Sequence, residues 1–443
     1  ADAPDVAAAL ARLESLVSRL PSHGVWILAD TDGEGLGGGD VASPSAPLGW
    51  APGGCGWRRL WLAHEAGERS FGSYPARSVL AADGGGGVWI LRPDHERNTT
   101  AEGSPTEATE ATGTTEEHLV EPDWALCHVD QRGERCPYRY PSGSKMVGDG
   151  LGGVWLLCET LDEEEPNATA CMEWSLWHAD LVAERRLYSY PPDSKLAGDG
   201  QGGLWILCET EGPEARTGEW TLWHATLEGE RALCTYPRAA KLAGDGQGGV
   251  WVLCEESPVT GRERGVEGED KDEDEDWCLW HASDLQRRSL FRYPAASRLR
   301  GDGLGGVWVL CETSTLSDPE QGEDDDWCLW HATEAGERSL FQYPASSQLV
   351  GDGHGGVWLL CETAGEGDGD WCLWHASQDG AESCLYRYPK DSKLAADGMG
   401  GIWILCETTD PDAGEDTSWC LWRATAEHER NLYAYPKDSR IAV

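Results

Sequence analysis

Basic residues are the scarce component of this chain: 35 Lys and Arg face 78 Asp and Glu, a formal charge of −43. A surface this poor in cations repels phosphate backbones and anionic lipid, which excludes nucleic acid and anionic membranes as partners. No apolar run reaches 18 residues, so no helical membrane span is expected. No Cys-x-x-Cys occurs and the cysteines are scattered, which argues against a zinc site. Outside the repeat described below there is no nucleophile–base pair, no isolated carboxylate dyad and no phosphate-binding loop, so an enzyme is not expected. Only seven of the cations are Lys, and with the acidity this composition also fits a halophilic origin. The chain opens on Ala1 rather than Met, as expected if a segment ahead of it has been removed.

What is present is a repeat. Tyr-Pro pairs fall at Tyr74, Tyr140, Tyr190, Tyr236, Tyr293, Tyr343, Tyr388 and Tyr435. After each of the first seven prolines, a Trp follows by 14 residues: Trp89, Trp155, Trp205, Trp251, Trp308, Trp358 and Trp403. Trp26 is an eighth Trp of this type, with no Tyr-Pro before it. One unit reads as four short strands. In the fourth unit these are Ser-Lys-Leu-Ala-Gly, then Gly-Gly-Leu-Trp-Ile-Leu-Cys-Glu after an Asp-Gly-x-Gly-Gly turn, then Trp-x-Leu-Trp-His-Ala, then a strand ending in Tyr-Pro. Strand-forming residues at this density, broken by Gly, Asp and Pro, leave little room for helix. The second strand is apolar on both faces and needs cover on both sides, which radially packed four-stranded blades provide.

The chain ends on Lys-Asp-Ser-Arg-Ile-Ala-Val, a first strand without its turn, while the N-terminal Gly-Val-Trp-Ile-Leu-Ala-Asp is a second strand without its first. Ser439 to Val443 should therefore pair beside Val25 to Asp30. The expected fold is all-β: an eight-bladed β-propeller over residues 22–443, closed by the C-terminal strand pairing into blade 1. Residues 1–21 are expected to form a short amphipathic helix, with Leu10, Leu13, Val17 and Leu20 on one stripe, serving as a cap over the channel mouth or as an oligomer contact. Nearly all length variation lies in the loop between strands two and three. From the strand-two Trp to the second Trp of strand three, or its equivalent, the gap runs from 16 residues (Trp358 to Trp374) to 38 (Trp89 to Cys127). These loops share one end of the ring, the variable face.

The pattern x-x-Asp-x-x-Gly-x-x-Trp, as in Asp199, Gly202 and Trp205, followed by a short aromatic strand, resembles the two-component-regulator propeller repeat and, more loosely, tectonin-type propeller lectins. The resemblance runs from about residue 22 to the end and implies a fold rather than a function. The chain departs from the sensor family in lacking a membrane span and a kinase module, so a signalling role does not carry over.

Sixteen cysteines mostly hold repeat positions. Those near the end of strand two and the start of strand three sit at the variable-loop end of adjacent antiparallel strands. Cys254–Cys278, Cys311–Cys328, Cys361–Cys372 and Cys406–Cys420 are thus expected disulfides, with Cys127–Cys136 and Cys158–Cys171 as less regular pairs; buried free thiols are the alternative. Asn98 and Asn167 head N-glycosylation sequons in variable loops. Cysteines and sequons together point to a secreted or surface-exposed protein.

The acidity is concentrated in loops that include Asp272, Asp274, Asp276 and Asp324. They read as a solvated rim or as oxygen ligands for calcium, although none reproduces an EF-hand loop. No other cofactor is expected. The recurrent His of Leu-Trp-His-Ala and Asp of Asp-Gly are read as structural, the Asp fixing its tight turn. Lys145, Lys195, Lys241, Arg298, Lys393 and Arg440 begin the first strands; they either pair with the Glu closing strand two or form a cation ring for an anionic ligand. The combined expectation is a non-enzymatic binding or assembly module, with a protein or glycan partner or self-assembly through the acidic loops. The alternative is a carbohydrate-binding lectin.

Overall fold

The computed structural model describes residues 24–30, 57–64, 67–94, 124–161, 172–209, 219–255, 276–283, 287–312, 327–362, 371–408, 418–436 and 439–442. The expected helix, the sequon asparagines and Asp272, Asp274 and Asp324 lie outside these residues. Asp276 opens a strand, Asp276–Ala282.

The described chain is thirty-two strands in eight antiparallel sheets of four, with no helix among the described residues. In seven sheets the strands lie in chain order. The first sheet is the exception: β1 (Val25–Asp30) pairs with β2 (Trp57–His64), β2 pairs with β3 (Gly67–Pro75), and the last strand, β32 (Arg440–Ala442), takes the place beside β1. Trp26 faces Ala442, Ile27 faces Ile441 and Leu28 faces Arg440, so the two half-units join as the sequence implies. The first strands of successive blades touch in turn, from Val79–Ala82 through Arg440–Ala442 and back, and so surround a central axis. The protein is an eight-bladed β-propeller.

Packing follows from the doubly apolar second strand. Side chains alternate across a strand, so Trp205 and Leu207 point to one face and Leu204 and Ile206 to the other. Trp205, Leu207, Trp220, Leu222 and Tyr236 of blade 4 bury themselves against Val250, Val252, Cys254 and Ala282 of blade 5. Eight such clusters occur, one per seam. The seam between blades 8 and 1 joins Trp403, Leu405 and Tyr435 to Val25, Ile27 and Ala29. The strand-two Trp is at most 1% exposed in every blade. Truncating such a side chain typically costs about 3–5 kcal/mol.

A bulge recurs between strands three and four of every blade. In blade 4, Leu222 opposes Cys234 and Trp223 opposes Ala232, which leaves Leu233 as the extra residue. That residue packs on the core between blades 4 and 5. An extra residue in one strand re-aims its side chain and sharpens the local twist. Here it gives the outermost strand an inward apolar contact.

Deleting residues 438–443 removes the innermost strand of blade 1 and opens both the sheet and the ring. Thermal melting and size-exclusion chromatography should show a melting temperature lower by roughly 5 °C or more and a larger apparent size. A truncated protein that melts and elutes like the full chain would contradict closure by β32.

Candidate functional site: two faces of one ring

On the face opposite the variable loops, the Asp-Gly-x-Gly-Gly turn is held by one carboxylate. Asp199 accepts at Oδ1 from the amides of Gln201 and Gly203, at 2.7 and 2.8 Å. Its Oδ2 accepts from His224 Nε2 at 2.9 Å. The same arrangement pairs Asp83 with His128, Asp149 with His178, Asp245 with His281, Asp302 with His331 and Asp352 with His375, at 2.8–3.0 Å. Each of these imidazoles lies on the strand-two Trp of its own blade, with ring centroids 4.3–4.8 Å apart. In blade 8, Arg423 replaces His and binds Asp397 Oδ2 at 2.6 Å. There is no room to spare: a Cβ on Gly203 would come within 2.2 Å of Asp199 Oδ2 and 2.8 Å of His224 Nε2.

Burial alone would raise the Asp carboxyls. Hydrogen bonds from the paired His and the turn amides outweigh it and hold Asp83, Asp149, Asp199, Asp245 and Asp352 below the usual carboxylate range. For His281, burial works to lower the imidazole, but Asp245 and Glu334 outweigh it and raise it. These Asp–His pairs are buried and repeated from blade to blade. Each Asp divides its hydrogen bonds between its own turn and the His of strand three in the same blade, so the Asp does more than fix its own turn.

The turns also link the blades. The Gly202 amide donates to the Asp149 carbonyl of the preceding blade, one of six such bonds of 2.8–3.3 Å. Trp155 Nε1 donates to the Gly202 carbonyl at 3.2 Å, as Trp89, Trp251 and Trp358 do to their own next blades. Inner strands approach closely here: a Cβ on Gly301 would lie 2.0 Å from the Gly244 carbonyl oxygen.

At the outer wall, the Tyr of Tyr-Pro donates to the Glu that opens strand four of the following blade. Tyr140 reaches Glu184 at 2.8 Å, Tyr388 reaches Glu429 at 2.6 Å, and Tyr190 and Tyr343 bond Glu230 and Glu382. Tyr435 reaches Glu68 at 2.8 Å across the closure seam. Burial first, and the Glu carboxylate with it, push these phenols up, so they remain donors. Tyr236 departs from this pattern. Arg287 stands where Glu would be, with its guanidinium 4.8 Å from the Tyr236 ring and 4.1 Å from that of Trp280.

On the variable face the first-strand cations do not pair with the Glu of their own hairpin. They reach forward to backbone carbonyls of the next blade's Pro-x-x-Ser turn. Lys195 Nζ donates to Arg238 and Ala240 oxygens, both at 2.7 Å, and Lys241 Nζ donates to Ala295 and Ser297 at 2.7 and 2.8 Å. Lys145, Arg298, Lys393 and Arg440 do the same, to Ser194, Ser347, Ser439 and Ser78. Gln348 makes the equivalent bond to Lys390 at 2.9 Å without a charge. Register explains the correction: Lys195 lies opposite Leu207, two residues short of Glu209.

Cys127–Cys136 is a disulfide. Cys254 faces Cys278, Cys311 faces Cys328, Cys361 faces Cys372 and Cys406 faces Cys420 in register, each buried. The members of each pair stand directly opposite one another across strands two and three. Burial pushes Cys254, Cys311, Cys361 and Cys406 up to about 12, and the facing cysteine pushes in the same direction. Cys171 lies outside the described residues, while Cys158 is a buried thiol. The one described group of three close metal-binding side chains, Cys127, Glu134 and Cys136, contains the disulfide and so offers no thiolate pair.

No protein-family model matches the sequence, and no curated protein matches it. Several solved structures are similar at low identity. The β-propeller domain of the Trilobed protease from Pyrococcus furiosus is 12% identical with a TM-score of 0.45, over 82% of this chain and 96% of that one. A eukaryotic initiation factor is 9% identical with a TM-score of 0.45, over 87% of each chain. An acylaminoacyl peptidase from Pyrococcus horikoshii is 12% identical with a TM-score of 0.42, over 81% of this chain and 52% of that one.

The Asp–His pairs set an acid limit. A depressed carboxyl contributes stability that is full above its unfolded value, about 3.9, and is lost as pH falls through the lower folded value. The raised His281 works in the other direction, its contribution being lost as pH rises through its folded value. Denaturant unfolding between pH 3 and 7 should therefore show a loss of stability below about pH 4. At neutral pH, His224→Leu should cost about 1–3 kcal/mol by leaving a buried carboxylate short of a donor, and adding Asp199→Asn should recover part of it. Equal stability of wild type and His224→Leu would remove the pair from the blade's energetics.

Proposed function

We propose that this propeller is a non-enzymatic binding or assembly module whose partners engage the variable face through its acidic loops. The observation that carries the reading is the contrast within one repeat. Blade frameworks are nearly uniform, whereas the loops at one end differ in length and carry runs such as Glu269 to Asp276, with a single Lys among its acids. Function concentrates on loops that a rigid scaffold presents. Loops this acidic select a partner that brings basic residues, calcium or hydroxyl-rich sugar. On the opposite face, Asp carboxylates that spend both oxygens within their own blade support a structural rather than catalytic role.

Secretion belongs to the same proposal. In an oxidising compartment the four opposed cysteine pairs close as disulfides, and Asn98 and Asn167 accept glycans. The lectin alternative would gain from exposed aromatic rings, but every described Trp, Tyr and Phe side chain is buried or half-buried.

Two measurements test the proposal. Binding of an oligolysine peptide and of Ca²⁺ to the intact protein should weaken with salt. Replacing Asp272, Asp274, Asp276 and Asp324 together by Asn should reduce it about 5-fold with little change in melting temperature. Unaltered binding, or a ligand mapped to the Asp-Gly turns, would overturn the assignment. Non-reducing peptide mapping of natively expressed protein should recover the four strand-two to strand-three bridges, each stabilising by roughly 2–4 kcal/mol. Alkylation of all eight cysteines in that material would remove the oxidising compartment from the proposal.

A further inference from the structure

We infer that the mouth of the central axis on the variable face is a binding site for a multivalent, phosphate-bearing anion, built from Lys195, Arg238, Lys241, Arg298 and Arg300 of blades 4 to 6. The site is formed by first-strand and Pro-turn cations and uses none of the acidic-loop residues proposed above.

Three observations carry the inference. First, the inner strands touch one another around the axis, which places the leading cations of blades 4, 5 and 6 side by side. Each is tied down: Lys195 and Lys241 by two carbonyls of the next blade, Arg298 by the Ser347 oxygen at 2.6 Å. Lys195, Lys241 and Arg298 also lie 5.8–5.9 Å from the rings of Trp220, Trp277 and Trp327. A cation held in this way loses little further side-chain freedom when an anion arrives.

Second, the stapling task does not require charge. Gln348 performs it in blade 7 with an amide, yet blades 3 to 6, 8 and 1 keep Lys or Arg at that position. The retained charges repel one another. Burial lowers the Lys195 and Lys241 ammonium groups, and Arg238 beside the first, with Arg298 and Lys195 beside the second, lowers them further. Neighbouring like charges at half-buried positions are a cost that a bound multivalent anion relieves. They are retained in a chain with 78 acidic and only 35 basic residues.

Third, blade 6 departs from the repeat at this place. Arg300 stands where the other first strands carry Ala81, Val147, Ala197, Ala243, Val350 and Ala395. It is exposed, donates to Leu349 and Leu299 carbonyls, and adds a second guanidinium two residues from Arg298. Guanidinium groups bind phosphate oxygens through paired, planar donors, which favours phosphate over a monovalent anion.

The test uses inorganic tripolyphosphate as the probe, with chloride of equal ionic strength as control, on the full chain. Tripolyphosphate should raise the melting temperature and give saturable heat of binding at low salt. Lys195→Gln with Lys241→Gln keeps the staple, as Gln348 does, and should melt like wild type without the probe while binding it at least tenfold more weakly. Arg300→Ala should weaken binding as well. Should the Gln variant fold poorly, Lys195→Arg with Lys241→Arg carries the test by retaining affinity. No shift with wild type, or undiminished affinity in the Gln variant or in Arg300→Ala, would overturn the inference, as would loss of affinity in the Arg variant. The acidic-loop Asn variant should bind tripolyphosphate at least as well as wild type, so failure here and failure of the loop proposal are separable.

Discussion

The carboxylate of the Asp-Gly turn is the interaction on which the rest of the ring depends. One oxygen closes the turn through two amides, and the other orients an imidazole that lies flat against or tilted over the largest buried side chain of the blade. In four blades that indole donates in turn to the neighbouring blade's glycine. A buried carboxylate is costly unless hydrogen-bonded, and here three donors meet it, so its presence specifies one arrangement of turn, strand and seam. The turn glycines follow from the same constraint, because a side chain at Gly203 would occupy the space that the Asp and His need.

The two ends of the ring solve different problems. At the turn face, backbone meets backbone, and small residues with direct amide-to-carbonyl bonds draw the blades together. At the opposite face the seams leave carbonyls of the Pro-x-x-Ser turns pointing upward, and long side chains reach across to them. The outer wall adds a third device, a phenol donating to a carboxylate on the next blade. A wedge-shaped blade therefore has short contacts at its inner edge and progressively longer ones outward. This ordering allows twisted sheets to fan around an axis, although the indole nitrogens of Trp26, Trp205, Trp308 and Trp403 are buried without a partner.

Much of this was legible from residues alone. Half-units at the two ends specified closure, and a second strand apolar on both faces specified seams on both sides. The Asp–His pairing was not read, although a signal for it existed. Blade 1 lacks the Asp turn and carries Leu62 at the His position, while blade 8 keeps the Asp and carries Arg423. The Tyr–Glu bond was likewise hidden, because its partners belong to successive units and sequence spacing within one unit cannot show it. The Lys-to-Glu expectation failed for a related reason. Residues near in the hairpin were favoured over carbonyls some 45 positions away, a separation at which side-chain spacing carries no information. The cysteine positions were aligned correctly because antiparallel register is local.

The side-chain bonds of Tyr, Lys and Trp run the same way around the ring, from one blade to the blade that follows, while the turn amides donate in the opposite sense. Each seam is therefore made by the same few kinds of contact, copied almost unchanged. Duplicating or losing a whole unit would create no new type of junction and would alter only the angle each wedge must subtend. Growth of such a gene by tandem copying therefore meets little resistance at the level of contacts. The departures at Arg287 and Arg423 show the complementary freedom: once the copies exist, one partner of a repeated contact can change in a single blade while the other copies keep theirs.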